Sequence, residues 1–509
     1  MGKKIIAVLC IICMLLGITA CQKTPEEAVV VDKSQGLPEG SIIPEEKDTP
    51  KDLRVPEHWK ESLVRGDGFV TLEADLDLEI PEVYNTPVYS WEAVPMTDQF
   101  LKKLCDYFAE GDRIYEYQGM TKSELIEKKE KMEKQEGSYV YSYYEELQKK
   151  IEKMEELIEK APAEKGEKKY IEPKLMKPQM IEIEQLDPRN YIGRGYYPWY
   201  YSTEKEIGFL ARVDRGEPCD PLIRAVSYDK DVGSVSAYVY EQGTWTNQRS
   251  VERNIKLMGP VAANGKYLEY MESMKSKMEQ AEYENFTEED ARKMVGDIVK
   301  DLGIKDMEVV DCARAMGVSD MESWSGLDTE DPDLEYGYSF SLSPKAGDVN
   351  GYTLLFSNQY KDLPETSYAP TFLTTQISIV VTEEGVKSFE WDYISDKKDM
   401  IAENTKLLSF DEVKEKLADH LLYAELSDEN GEIPPDASYV YDVQNVQLRA
   451  ANINAYEDPD AAWLVPVWVF EVGLTGFFEY DGGKVHENDL PEGVVQINAI
   501  DGGYVTVNF

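Results

Sequence analysis

Phe69-Val-Thr-Leu-Glu-Ala-Asp-Leu-Asp-Leu-Glu-Ile80 alternates without interruption: Val70, Leu72, Ala74, Leu76, Leu78 and Ile80 are apolar, and the residues between them are polar or acidic. A period of two marks a strand that buries one face. Pro81 ends it. The folded part of the chain therefore opens on an antiparallel sheet with one wet side, and Glu73, Asp75, Asp77 and Glu79 lie on that side. A row of cation ligands is the rival reading of the same carboxylates. Downstream, Tyr84, Val88, Tyr89 and Trp91 predict a second extended piece, and a helix follows over 97–108.

The C-terminal half repeats one theme twice. Thr287-Glu-Glu-Asp290 has the form of a capping box, its helix carries Ala291, Met294, Val295, Ile298, Val299 and Leu302 at helical spacing, and Gly303 stops it. Strand-like runs follow at 307–313, 336–342, 352–356, 374–381 and 386–391, the last two joined by Thr382-Glu-Glu-Gly385. Ser409-Phe-Asp-Glu412 then caps a helix with Phe410, Val413, Leu417 and Leu421 on one face. Strands are predicted at 443–450, 463–472, 477–480, 494–500 and 504–507, with hairpin turns at Asp481-Gly-Gly483 and Asp501-Gly-Gly503. The fold class is α+β, antiparallel sheets with packed helices. The domains read as 58–265 (an N-terminal α+β domain), 280–405 and 406–509, the last two as degenerate repeats of a helix-plus-sheet unit.

Within the N-terminal domain a charged helical segment runs over 121–160. Thr121-Lys-Ser-Glu124 opens it as a capping box, Gly137-Ser138 splits it into an antiparallel hairpin, and Leu147, Ile151, Met154 and Ile158 form one seam. Such a short seam packs on its own domain, with docking of a partner as the alternative. Beyond it, Tyr191-Ile-Gly-Arg-Gly-Tyr-Tyr-Pro-Trp-Tyr-Tyr201 concentrates Tyr196, Tyr197, Trp199, Tyr200 and Tyr201 beside two glycines and a proline. This is the candidate ligand-stacking loop, since exposed rings stack on sugars or peptides. Burial of the same rings to pin the loop is the competing reading. Strands follow at 208–213 and 234–240.

The start of the chain resembles a bacterial lipoprotein signal. Lys3 and Lys4 precede the apolar run from Ile5 to Ile18, and Ile18-Thr19-Ala20-Cys21 has small residues before a cysteine. The resemblance implies that residues 1–20 are removed and that Cys21 carries a diacylglyceryl thioether, anchoring the protein to the extracytoplasmic face of the cell membrane. An ordinary secretory signal with an incidental Cys21 is the alternative. Residues 21–57, rich in Pro, Glu, Lys and Gly, read as a flexible tether.

Loss of Lys3 and Lys4 takes the formal charge from −44 to −46. That field opposes nucleic acid and favours cationic partners or divalent ions. Hydrophobic residues at 42%, with 33 tyrosines, suffice for real cores. Cys105, Cys219 and Cys312 remain as thiols, with no CxxC pair, and His58, His420 and His486 are far apart in sequence, so no metal site and no cofactor is expected. GxSxG, HExxH and P-loop patterns are absent from the sequence. The acidic turns Asp328-Thr-Glu-Asp-Pro-Asp333, Asp428-Glu-Asn-Gly431 and Glu457-Asp-Pro-Asp460 lack the EF-hand register and read as solvated loops.

The capped helices followed by strands, the run Trp463-Leu-Val-Pro-Val-Trp-Val-Phe470 and the ending Val495-Gln-Ile-Asn-Ala-Ile-Asp-Gly502 look like the PepSY-type repeats of exported Gram-positive proteins, including the kinase-accessory proteins YycH and YycI. The whole chain also resembles a family of uncharacterised clostridial surface lipoproteins. Both resemblances imply regulatory or inhibitory contacts outside the membrane, although an anchor at Cys21 in place of a transmembrane helix departs from the kinase accessories. The expected function is that of a lipid-anchored extracytoplasmic binding or regulatory protein, non-enzymatic, contacting an exported protein or a cell-wall component. A carbohydrate-binding lipoprotein or a carboxylate-dependent wall hydrolase is the alternative.

Overall fold

The computed structural model describes residues 33, 36–134, 151, 154–176, 207–216, 220–227, 236–258, 265–281, 285–318, 334–352, 367–370, 372–423, 438–456, 458–480 and 484–505. Strands β1 (His58–Val64), β2 (Val70–Asp77) and β3 (Val88–Ala93) precede helix α1 (Asp98–Ala109). Next come β4 (Ile114–Glu116), α2 (Lys122–Lys134), β5 (Ile207–Val213), β6 (Leu222–Ser227), β7 (Ser236–Glu241) and β8 (Thr244–Asn247). Helices α3 (Gln248–Met258), α4 (Gly265–Gln280) and α5 (Glu288–Asp301) follow. After them run β9 (Glu308–Val318), β10 (Glu335–Ser343), the short pair β11 (Lys345–Ala346) and β12 (Val349–Asn350), β13 (Gln376–Thr382), β14 (Gly385–Asp392) and β15 (Ser395–Ala402). The last elements are α6 (Phe410–Tyr423), β16 (Ser438–Ala455), β17 (Asp458–Tyr480) and β18 (Lys484–Asn498).

The fold is α+β, and its strands gather into two large sheets. One has seven strands in the order β1-β2-β16-β17-β3-β15, with β18 on β17. The other has nine, ordered β4-β5-β6-β7-β14-β13-β10-β9-β8. Both cut across the boundaries predicted at 58–265, 280–405 and 406–509: β1 to β3 join strands from residues 395–498, while β4 to β8 join strands from residues 308–392. Hydrophobic period finds strands but is blind to their partners, because every backbone offers the same donors and acceptors.

Strand β2 and the residues just after it keep the alternation of the sequence: Leu72, Ala74 and Leu78 are buried, and Glu73, Asp75, Asp77 and Glu79 are exposed. It pairs antiparallel with β1 but parallel with β16, so this sheet is mixed. The two strands predicted at 463–472 and 477–480 are one 23-residue strand, β17. From Ala461 to Phe470 every residue of β17 is buried, since the sheet is covered on both faces. Trp59, Phe410, Trp468 and Phe470 meet there, with Trp59 edge-on to Phe410 at 5.2 Å. Helix α6 lies over β2 and β18. The second core forms between the nine-stranded sheet and α1 and α5, where Phe108 stacks on Tyr240 at 4.8 Å.

The capping boxes at Thr287 and Thr121 are complete, and at Ser409 the carboxylate half is made. Thr287 and Asp290 exchange both bonds at α5; Thr121 N donates to Glu124 Oε2 at 2.6 Å and Ser409 N to Glu412 Oε2 at 2.8 Å. The segment 121–160 folds back on itself, since Lys129 pairs with Glu155 at 2.6 Å and Lys122 N donates to Pro162 O at 2.8 Å. Leu125, Ile151, Met154 and Leu157 form a small separate core, while Leu147 and the Gly137-Ser138 break lie outside the described residues.

The segment predicted as a tether behaves differently over 36–57. Leu37 is fully buried against the seven-stranded sheet and Leu53 is buried beside it. Two apolar anchors in a polar stretch are too few to register as a pattern, yet they suffice once the sheet supplies a surface.

Candidate functional site

Side chains on β10, β13, β14, β7 and β6 alternate, so the core facing α1 and α5 takes Phe340, Leu342, Ile377, Ile379, Phe389, Trp391, Tyr238, Tyr240, Ile223 and Ala225. The residues between them share the opposite face. Register aligns one row straight across it: Asp311, Ser341, Ser378, Glu390, Val239 and Arg224 are successive cross-strand neighbours from β9 to β6. A second row runs Ala313, Ser339, Val380, Ser388, Glu241 and Leu222. Ser339, Ser341, Ser378, Ser388 and Glu390 are all half-buried. The face is low, hydroxyl-rich and bordered by charge.

At one border Gln376 opposes Asp392 in the register, its Nε2 at 3.5 Å from Asp392 Oδ2. Asp392 keeps a partial solvent face, but protein atoms crowd its carboxyl on most sides. That burial, with the charge of Glu390 nearby, lifts it well above the usual carboxylate range. Glu390 and Asp392 project from one face of β14 two residues apart, about 6.6–6.8 Å along the strand. At the other border Arg249 pairs with Asp311 at 2.6 Å, and burial raises the Asp311 carboxyl despite the guanidinium. Burial likewise lowers Arg449, whose Nε donates to Gln447 Oε1 at 2.7 Å.

Beside Gln376 the two sheets approach each other. A small cleft with room for about one water opens there between Tyr352, Thr374, Gln376, Tyr393, Asn452 and Gln496. Asn452 N donates to Thr374 Oγ1 at 2.9 Å and its Nδ2 to Leu373 O at 3.2 Å. Gln496 is 4% exposed and its Oε1 has no partner among the described residues. Tyr393 holds φ +50°, a left-handed conformation that is strained for an aromatic residue.

Cys21 and the aromatic residues Tyr196, Tyr197, Trp199, Tyr200 and Tyr201 lie outside the described residues, as do Cys219 and the acidic turns at 328–333 and 428–431. His58 sits at the exposed edge of β1, its Nδ1 2.7 Å from Asp77 and its Nε2 2.9 Å from Asp75, and those carboxylates raise its imidazole above the usual value. His420 is packed on Tyr504 at 4.6 Å, and burial lowers it to about 4. The Cys105 and Cys312 thiols are pushed up to about 12 by burial, Cys105 against Tyr238. Among the described residues no three His, Cys, Asp or Glu side chains converge on a metal site.

The polar row escaped sequence reading because Val386-Lys-Ser-Phe-Glu-Trp-Asp392 looks like any strand with a solvated face. What distinguishes Glu390 and Asp392 is the neighbours that register gives them.

No protein-family model and no curated protein matches the chain. Among solved structures, that of an uncharacterized protein from Eubacterium rectale ATCC 33656 is similar at a TM-score of 0.41 and 12% identity, covering 91% of this chain and 96% of that one.

Proposed function

We propose that this is a lipid-anchored extracytoplasmic binding or regulatory protein, non-enzymatic, whose ligand is another exported protein or a cell-wall component. The polar face of the nine-stranded sheet is its binding surface. The observation behind this is the row from Asp311 through Ser341 and Ser378 to Glu390. Small side chains let a ligand approach the sheet closely, and hydroxyls both donate and accept. Charges of both signs already stripped of part of their water favour an oriented polar contact. Lipid on Cys21 holds the protein at the membrane at roughly 0.8 kcal/mol per buried CH₂. No described helix is long and apolar enough to cross a bilayer.

A photoactivatable crosslinker on Ser378→Cys in intact cells tests the surface, with Asp106→Cys on exposed α1 as control. The reading expects an exported protein or wall glycan captured from position 378 and not from 106. Equal capture at both positions, or none at 378, rejects it.

The Glu390–Asp392 pair favours a second reading, a carboxylate-dependent wall hydrolase, because two carboxyls project from one face of β14 and burial keeps Asp392 a stronger proton holder than an ordinary carboxylate, as a general acid requires. Purified wall incubated with the protein decides: sugar release that Asp392→Asn and Glu390→Gln each abolish supports it. Absence of turnover removes it.

A further inference from the structure

Residues 36–57 hold to the body along their length, and this limits how far an acyl group on Cys21 can stand from it. Gly36, at φ +87°, lies on the turn after β16, where an added Cβ would come within 2.5 Å of Ala455 O. Leu37 beside it is fully buried. Pro44 bridges Thr405, and Lys406 N donates to Ile43 O at 2.8 Å. Lys51, 1% exposed in its side chain, donates from Nζ to Glu45 Oε2 at 2.6 Å, Asn404 Oδ1 at 2.8 Å and Thr405 O at 2.7 Å. Phe410 N donates to Leu53 O at 2.7 Å. Ahead of all these, Lys33 pairs with Asp501 and donates to Tyr368 OH at 3.2 Å, while Tyr368 OH donates to Asp501 at 2.7 Å.

We infer that the strap leaves only the short span from Cys21 to Lys33 between the anchor and the body, and turns one chosen end of the body, carrying the β16–β17 turn and the Asp501 turn, toward the lipid surface. This rests on the reading of Cys21 as the anchor. From Cys21 to Lys33 is 12 residues, which no conformation can stretch beyond about 40 Å. A tether running free to His58 would reach about 120 Å and would impose no orientation. The far end of the body is well separated. Tyr439 N donates to Phe69 O beside the β1–β2 turn at 2.8 Å, and β16 carries the chain from Tyr439 to Ala455, about 50 Å at strand rise. The strongly acidic surface resists adsorption of the body's flanks on anionic headgroups.

Energy transfer tests the orientation in the full-length lipidated protein. A donor dye is placed on Tyr456→Cys, at the strapped end, or on Asp67→Cys, at the far end, with Cys219→Ser and Cys312→Ser removing competing thiols. The protein is reconstituted in phosphatidylcholine–phosphatidylglycerol vesicles carrying acceptor-labelled headgroups. Transfer from position 456 is expected to be several-fold stronger than from 67. Inserting a twelve-residue Gly/Ser spacer between Asp32 and Lys33 leaves the body untouched and should collapse that difference. Flotation with the vesicles and intact mass report the anchor separately. Protein that floats, carries lipid mass and transfers equally from both positions overturns the orientation alone; protein that neither floats nor carries lipid overturns the anchor and the orientation together.

Discussion

The seven-stranded sheet and the polar face of the nine-stranded sheet are built from the same secondary structure and put it to opposite uses. In β17 the run Ala461 to Phe470 is buried throughout, and Phe410 packs its ring on both Trp468 and Phe470. Across β9, β10, β13 and β14 the equivalent outward positions are Asp311, Ser341, Ser378 and Glu390, half-buried and hydrogen-bonding in character. The first region spends its side chains on packing, which fixes the fold. The second leaves polar groups partly desolvated, which costs stability, and it is the face proposed above as the binding surface.

That contrast can be broken most forcefully in the packed region. Trp468→Ala should lose about 3–5 kcal/mol in urea unfolding, because the vacated volume lies between rings that cannot collapse onto it. Leu37→Ala should cost about 2–4 kcal/mol and release amide protection over 36–53, since the strap is part of the same core. If the segment were a free tether, the substitution would change nothing in hydrogen exchange or melting.

His420 extends the comparison to pH. Burial lowers its imidazole to about 4 from the ordinary 6.5, so the unfolded chain takes up a proton before the folded one does. The stability this contributes is complete above pH 6.5 and is lost as pH falls toward 4, at most about 3 kcal/mol. His420→Phe should flatten this part of the acid limb, and an unchanged pH profile would count against a buried neutral ring. Asp392 runs the other way. Its folded carboxyl holds a proton more tightly than the unfolded one, so its contribution is fully present below about pH 4 and erodes as pH rises. Asp392→Asn should therefore gain on the wild type from pH 4 to pH 7, read as a widening gap in melting temperature. The smallest effect belongs to the centre of the polar face, where Ser341→Ala or Ser378→Ala should stay within about 0.5 kcal/mol in stability. Loss of the crosslinked adduct from Ser341→Ala, with Ser378→Cys as the reporter, would then measure binding with folding untouched.

Much of this protein is written locally and could be read so. Alternation from Val70 to Ile80 placed a one-sided strand, Thr121, Thr287 and Ser409 marked helix starts whose cap backbone does bond the carboxylate three residues on, and Gly303 closes α5 at φ +63°. These depend on residues within a turn or two of one another, so the sequence determines them by itself. Tertiary structure alone decided that β2 pairs parallel with β16, that Leu37 and Lys51 dock a segment that reads as a tether, and that Asp311, Ser341, Ser378 and Glu390 fall in one row. Strand pairing joins backbone groups that are alike in every residue, and its register is set by contacts hundreds of positions apart. No local pattern carries that information.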